Sequence, residues 1–134
     1  IIINGPKLNI LGKREPDIYG NSSFDNFIDD MVKRYPQISL DYYQSNVEGE
    51  MIDKLQDVGF SYDGIILNAA AYTHTSLGIG DAVKAIQTPV IEVHISNTLN
   101  REEFRHQSFI APHAQGVILG FGLKSYELAI QNFI

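Results

Sequence analysis

Glu92 and His94 stand two residues apart in the run Val90-Ile91-Glu92-Val93-His94-Ile95. The run is rich in β-branched residues and predicts a strand, and strand alternation puts both side chains on one face. A carboxylate beside an imidazole fixes its tautomer and favours the protonated ring, which is how a general acid is prepared. A polar pair satisfying itself at a sheet edge fits the same spacing equally well. Tyr19 is a second candidate, and a more demanding one. A free phenol titrates near ~10, so about one in a thousand is ionised at neutral pH. Making it a base at pH 7 takes ~4 kcal/mol of differential stabilisation by a nearby cation. Arg14 could supply part of that, because a guanidinium stays charged. By residue type alone, Arg14 is equally a solvated loop charge and Tyr19 a packing residue.

These groups need elements to bring them together, and the chain alternates apolar runs with helical patterns. Strands are expected at Ile1 to Ile3, Ile38 to Tyr43, Gly64 to Leu67, Pro89 to Ile95 and Gly116 to Leu119. Helices are expected over 22–35, 48–58, 75–87, 100–107 and Leu123 to Phe133. Ser22 or Ser23 can cap the first helix, Asp25 suits its first turn and Pro36 follows its end. Its apolar stripe is Phe24, Phe27, Ile28, Met31 and Val32. In the second, Met51, Ile52, Leu55 and Val58 share a face, and Gly59 stands at the C-terminal end. Strand–helix alternation implies a parallel sheet covered on both faces. The simplest topology is α/β: a flavodoxin-like, doubly wound, five-stranded parallel sheet of order 2-1-3-4-5, with residues 1–134 forming one domain. In such sheets ligands sit at the carboxyl ends of the strands. Three of those ends collect polar residues. The long connection after strand one carries Lys7, Lys13, Arg14 and Tyr19. Asn68, His74 and Ser76 follow strand three, and His94, Ser96 and Asn97 end strand four.

Bulk properties narrow the function classes. The 134 residues carry a formal net charge of −6, without the basic face a nucleic-acid binder needs. There is no cysteine, which excludes disulfides, thiolate catalysis and zinc–thiolate sites and fits a reducing cytoplasm. No apolar run approaches the ~20 residues of a membrane span. No signal peptide is visible, and since the chain begins at Ile1 without a methionine, a short preceding piece is expected. The 4 histidines include no close pair of metal-ligand spacing, so no metal is expected. His106 and His113 belong to a polar helix and a turn.

Three strings extend this reading. The first is Asn4-Gly5-Pro6, Leu8-Asn9, Leu11-Gly12, Arg14-Glu15-Pro16 and Tyr19-Gly20. The second is Leu67-Asn68-Ala69, Thr73-His74-Thr75-Ser76 and Asp81. The third is Glu92-Val93-His94-Ile95-Ser96-Asn97 with Arg101-Glu102-Glu103-Phe104-Arg105. In order and spacing the chain resembles the type II 3-dehydroquinate dehydratases, nearly end to end. That resemblance implies a cytoplasmic hydro-lyase of the shikimate pathway to chorismate and the aromatic amino acids. It would turn 3-dehydroquinate into 3-dehydroshikimate without cofactor, metal or Schiff base, in dodecamers built from trimers. It implies Tyr19 as the base, Arg14 as the group keeping it anionic, His94 as the general acid and Glu92 as its orienting partner. The substrate carboxylate would meet Ile95 and Ser96. Asn68, His74 and Arg105 would hold ring hydroxyls, and Asp81 would reach a neighbouring subunit's site.

The chain departs from the family pattern at Lys7, where an asparagine that holds the enolate-stabilising water is usual. An ammonium only donates, whereas an amide also accepts. Ala70 replaces a glycine, which strains the backbone if that position needs positive φ. Thr98-Leu99-Asn100 and Leu77-Gly78 also differ. A relative that binds the same ligand with impaired turnover is therefore the alternative function. A flavin- or phosphate-binding module would need a short glycine- or hydroxyl-rich loop after strand one. A response regulator would need acids where Asn4 and Asn68 stand. Neither requirement is met.

Overall fold

The computed structural model describes residues 1–11, 13 and 23–134. Five parallel strands form one sheet: β1 (Ile2–Asn4), β2 (Tyr42–Gln44), β3 (Ile65–Asn68), β4 (Val90–His94) and β5 (Gly116–Leu119). Their order is β2-β1-β3-β4-β5, as the alternation predicts. Among the described residues four α-helices connect or follow them: α1 (Phe24–Arg34), α2 (Glu48–Val58), α3 (Leu77–Ala85) and α4 (Lys124–Asn132).

The strands read as unbroken apolar runs because both sheet faces are covered. On one face Met51, Leu55 and Val58 of α2 and Ile79, Ala82 and Val83 of α3 pack on Ile3, Ile65 and Leu67. On the other, Phe24, Phe27 and Met31 of α1 and Tyr126, Ala129 and Ile130 of α4 pack on Ile2, Ile66, Ile91 and Val93. Each fully buried aliphatic side chain contributes about 1.5–3 kcal/mol. The helix ends obey local chemistry. Ser23 caps α1 by accepting from the Asn26 N–H at 3.2 Å. Ser76 caps α3 through the Ile79 N–H at 2.9 Å.

Four expectations need correction. β2 begins at Tyr42, not at residue 38, because pairing with the short β1 starts at Ile2↔Tyr42. Ile38 and Leu40 pack on the core without joining the ladder. The polar helix over 100–107 is replaced by two 3₁₀ turns, Thr98–Asn100 and Glu103–Arg105. Extended Arg101 (φ −115°, ψ −164°) separates them and stops a continuous helix. Val32 is 47% exposed and leaves the apolar stripe of α1. Gly59 ends α2 at φ −70°, so it is no left-handed cap. A Cβ there would sit 2.3 Å from Ile86 Cγ2, so close packing is what requires glycine.

Parallel register sets the site. Asn4 of β1 lies opposite Asn68 of β3, and Leu67 lies opposite Glu92 of β4. Asn4, Asn68 and His94 therefore end three adjacent strands at the carboxyl end of the sheet.

Candidate active site

A cavity of about 130 Å³ opens at those strand ends. Among the described residues three cationic side chains line it: Lys7 from the loop after β1, and Arg101 and Arg105 from the turns after β4. In a chain of net charge −6, a local cluster of this sign favours an anionic ligand. His74, His94, Asn68, Ile95 and Ser96 add polar or backbone groups, and Pro6, Leu8 and Leu11 give an apolar wall.

His94 and Glu92 are 6% and 2% exposed. His94 Nε2 lies 2.7 Å from Glu92 Oε2, so the ring donates to the carboxylate and keeps Nδ1 for other partners. Because β4 runs between β3 and β5, this is no pair satisfying itself at a sheet edge. The expected geometry of two side chains on one strand face is present. Behind it, Ser108 donates to Glu92 Oε1 at 2.7 Å.

His74 lies beside His94, with stacked ring centroids 6.1 Å apart. Its Nδ1 donates to the Gln107 carbonyl at 2.7 Å. Burial pushes its pKa below the ordinary histidine value, against the pull of that carbonyl, and His94 and Arg105 push the same way. His74 is thus a neutral ring at pH 7, with Nε2 left as an acceptor.

Asn68 is held at both ends of its amide. Its Oδ1 accepts from the Ala70 N–H at 3.0 Å, and its Nδ2 donates to the Tyr126 hydroxyl at 2.7 Å. Tyr126 in turn donates to Asn4 Oδ1 at 2.8 Å. Burial drives the Tyr126 phenol far above its usual range, so it stays protonated. This interior chain leaves the remaining Asn68 N–H as a donor for the cavity.

Arg101 donates to Ser96 Oγ at 3.3 Å, and Arg105 donates to Glu102 at 2.6 Å. The Arg105 contact holds the Glu102 carboxyl below its usual titration range. Lys7 (φ 69°) and Ala70 (φ 52°) are the non-glycine residues in left-handed backbone among those described, and both line the cavity. The strain expected at Ala70 is therefore present.

The structure gathers Lys7, Asn68, His74, His94, Ile95, Ser96 and Arg105 around one space, with Glu92 directly behind. Asp81 does not line it and stands exposed on α3. Tyr19 and Arg14 lie outside the described residues. Sequence reasoning left out Arg101, Ser108 and Tyr126 as site residues. Arg101 was readable as a charge four positions before Arg105. Ser108 and Tyr126 act through tertiary contacts that no local pattern signals. Among the described residues no group of three or more His, Cys, Asp or Glu is arranged to hold a metal, and no helix is long and apolar enough to cross a membrane.

Comparison with known proteins agrees with this geometry. The family model "Dehydroquinase class II" matches residues 1–134. A 3-dehydroquinate dehydratase of Exiguobacterium sp. is 53% identical over 100% of this chain and 92% of its own length. One from Bacillus licheniformis is 49% identical over 100% and 94%. The crystal structure of a type II dehydroquinase from Butyrivibrio crossotus superposes with a TM-score of 0.92 at 47% identity, covering 98% of this chain and 94% of that one. The Propionibacterium acnes type II dehydroquinase gives 0.87 at 38% identity, over 97% and 91%. With its sheet order, its cationic cavity and a family match over the whole sequence, this chain belongs to the class II dehydroquinases.

Proposed function

We propose that this chain dehydrates 3-dehydroquinate to 3-dehydroshikimate, as its named relatives do by their names, within aromatic amino-acid biosynthesis. The observation that carries this reading is the buried Glu92–His94 pair facing a small cavity lined by three cations. A ring acid that loses water needs a carboxylate anchor, hydroxyl ligands, and a base and an acid that do not neutralise each other.

In this reading anionic Tyr19, kept charged by Arg14, removes the proton beside the ketone. The electron pair moves onto the ketone oxygen as an enolate, and Lys7 offers an ammonium in that region. Collapse of the enolate then expels the hydroxyl at the neighbouring ring position. His94, oriented by Glu92, protonates that hydroxyl so that it leaves as water. Ser96 and the backbone at Ile95 take the carboxylate. Asn68, neutral His74 and Arg105 hold ring hydroxyls. Asp81, exposed on α3, serves the site of a neighbouring subunit in a dodecamer of trimers. The enzyme works in the cytoplasm. Each positioned acid or base contributes ~10²–10⁴ in rate.

The product is a conjugated enone, so its ultraviolet absorbance should rise when 3-dehydroquinate is added. Chelator and borohydride should leave that rise intact. His94→Ala and Tyr19→Phe should each lower kcat by about 10²-fold or more. A wild-type chain that binds the ring acid but makes no enone would end this reading.

A further inference from the structure

The segment after the Glu103–Arg105 turn crosses directly behind the two cavity histidines. Gln107 offers its carbonyl to His74 Nδ1, and Ser108 offers its hydroxyl to Glu92. The segment is itself fastened. The Phe109 N–H donates to the Thr73 carbonyl at 3.0 Å. Gly80 of α3 lies so close that a Cβ there would be 2.4 Å from the Phe109 carbonyl oxygen.

The bonding of Ser108 has one solution. A hydroxyl has one proton and two lone pairs. The Ile110 N–H at 3.1 Å and the Ala111 N–H at 3.0 Å both donate to Ser108 Oγ, and they occupy its acceptor capacity. The hydroxyl proton is left for Glu92 Oε1 at 2.7 Å. A carboxyl oxygen that accepts there cannot carry a proton in that bond. The other oxygen, Oε2, faces His94 Nε2 at 2.7 Å. Oε1 is thereby committed as an acceptor, and Oε2 is left to its contact with His94 Nε2. Two backbone N–H groups on Ser108 also polarise its hydroxyl and strengthen its donation.

We propose that Ser108 is a positioning residue for the dehydration. It acts through Glu92, holding that carboxyl group in one rotamer so that His94 keeps a fixed tautomer and aims Nδ1 at the departing hydroxyl. The proposal rests on the reading of His94 as the acid. Neither Ser108 nor its two backbone donors touches the cavity, so binding of the ring acid does not depend on them directly.

The test compares Ser108→Ala, Glu92→Gln and the double variant by enone formation, measuring kcat and KM separately. Ser108→Ala should lower kcat about 10-fold, the scale on which partners behind a reacting group act, with KM within about twofold. It should also move the pH profile of kcat, with Lys7, His74, Arg101 and Arg105, the other charged or titratable side chains described around the cavity, unaltered. In the Glu92→Gln background the same change should cost less than about threefold, because its route is already broken. Losses that multiply in full, or a kcat equal to wild type in Ser108→Ala, would overturn the proposal. If the alanine chain does not fold, Ser108→Cys keeps the volume with a much weaker donor. A comparable kcat loss there supports the role, and wild-type kcat overturns it. A wild-type chain that is inactive would instead sink the functional reading itself.

Discussion

Two residues of the cavity wall hold backbone that glycine or asparagine adopts more cheaply. Lys7 sits at φ 69° and Ala70 at φ 52°. A methyl group in the left-handed region costs about 1–2 kcal/mol, part of which a glycine gives back as unfolded-chain entropy. At Ala70 the steric cost wins, because nothing about its Cβ is needed to hold Asn68: the Ala70 N–H does that. Ala70→Gly should therefore raise the unfolding free energy by about 0.5–1 kcal/mol, read as a higher urea midpoint with an unchanged slope. A lower midpoint would mean that the side chain packs more favourably than its backbone is strained. Ala70 also marks how far residue identity carried the reading. The glycine of the family pattern flags positive φ at this position only as a condition, and Ala70 meets it. The partners of Asn68 did not, since Tyr126 lies 58 positions away and carries no motif.

At the scale of elements, periodicity located each α-helix of the described residues and, β2 apart, each strand, because these bury apolar side chains in the two cores. It failed where burial is partial. Residues 38–40 have the composition of a strand, yet β1 offers them no ladder partner. Residues 100–107 have the composition of a polar helix, yet the Asn97 side-chain cap on Leu99 and an extended Arg101 break this stretch into turns. Those turns carry Arg101 and Arg105, so the least legible element bears part of the cationic wall. The contact of Gly80 with the Phe109 carbonyl was equally unreadable, since a glycine inside a helix pattern signals only weakness. Alanine at a helix interior normally gains about 1 kcal/mol over glycine. Here the added carbon would lie 2.4 Å from a backbone oxygen, and such overpacking costs about 1–3 kcal/mol. Gly80→Ala should thus destabilise by about 1 kcal/mol in urea unfolding. Because the displaced segment holds His74 and Glu92, kcat should fall with it. A variant more stable than wild type would show that helix propensity outweighs the clash.

The whole molecule has to hold its last helix in register, since the partner of Asn68 sits there. That helix, α4, is clamped to α1 by a charged cluster. Glu127 accepts from the Tyr35 hydroxyl at 2.6 Å and from Arg34 through both oxygens at 2.9 and 3.0 Å. The Tyr35 hydrogen bond first, and Arg34 next, hold the Glu127 carboxyl below its usual range. A carboxyl whose folded pKa is depressed adds stability above its unfolded pKa and loses it as pH falls through the folded one. Glu127→Gln should therefore melt below wild type at pH 7. The gap between the two melting curves should narrow below about pH 4, where the wild-type carboxyl also becomes neutral. High salt should narrow it at pH 7 as well, because Arg34 is largely exposed. A gap that is constant from pH 7 to pH 3 would assign the clamp to packing of Tyr35 rather than to charge. A gap that closes would tie the anchorage of α4, which carries the Asn68 partner Tyr126, to the ionised carboxylate of Glu127.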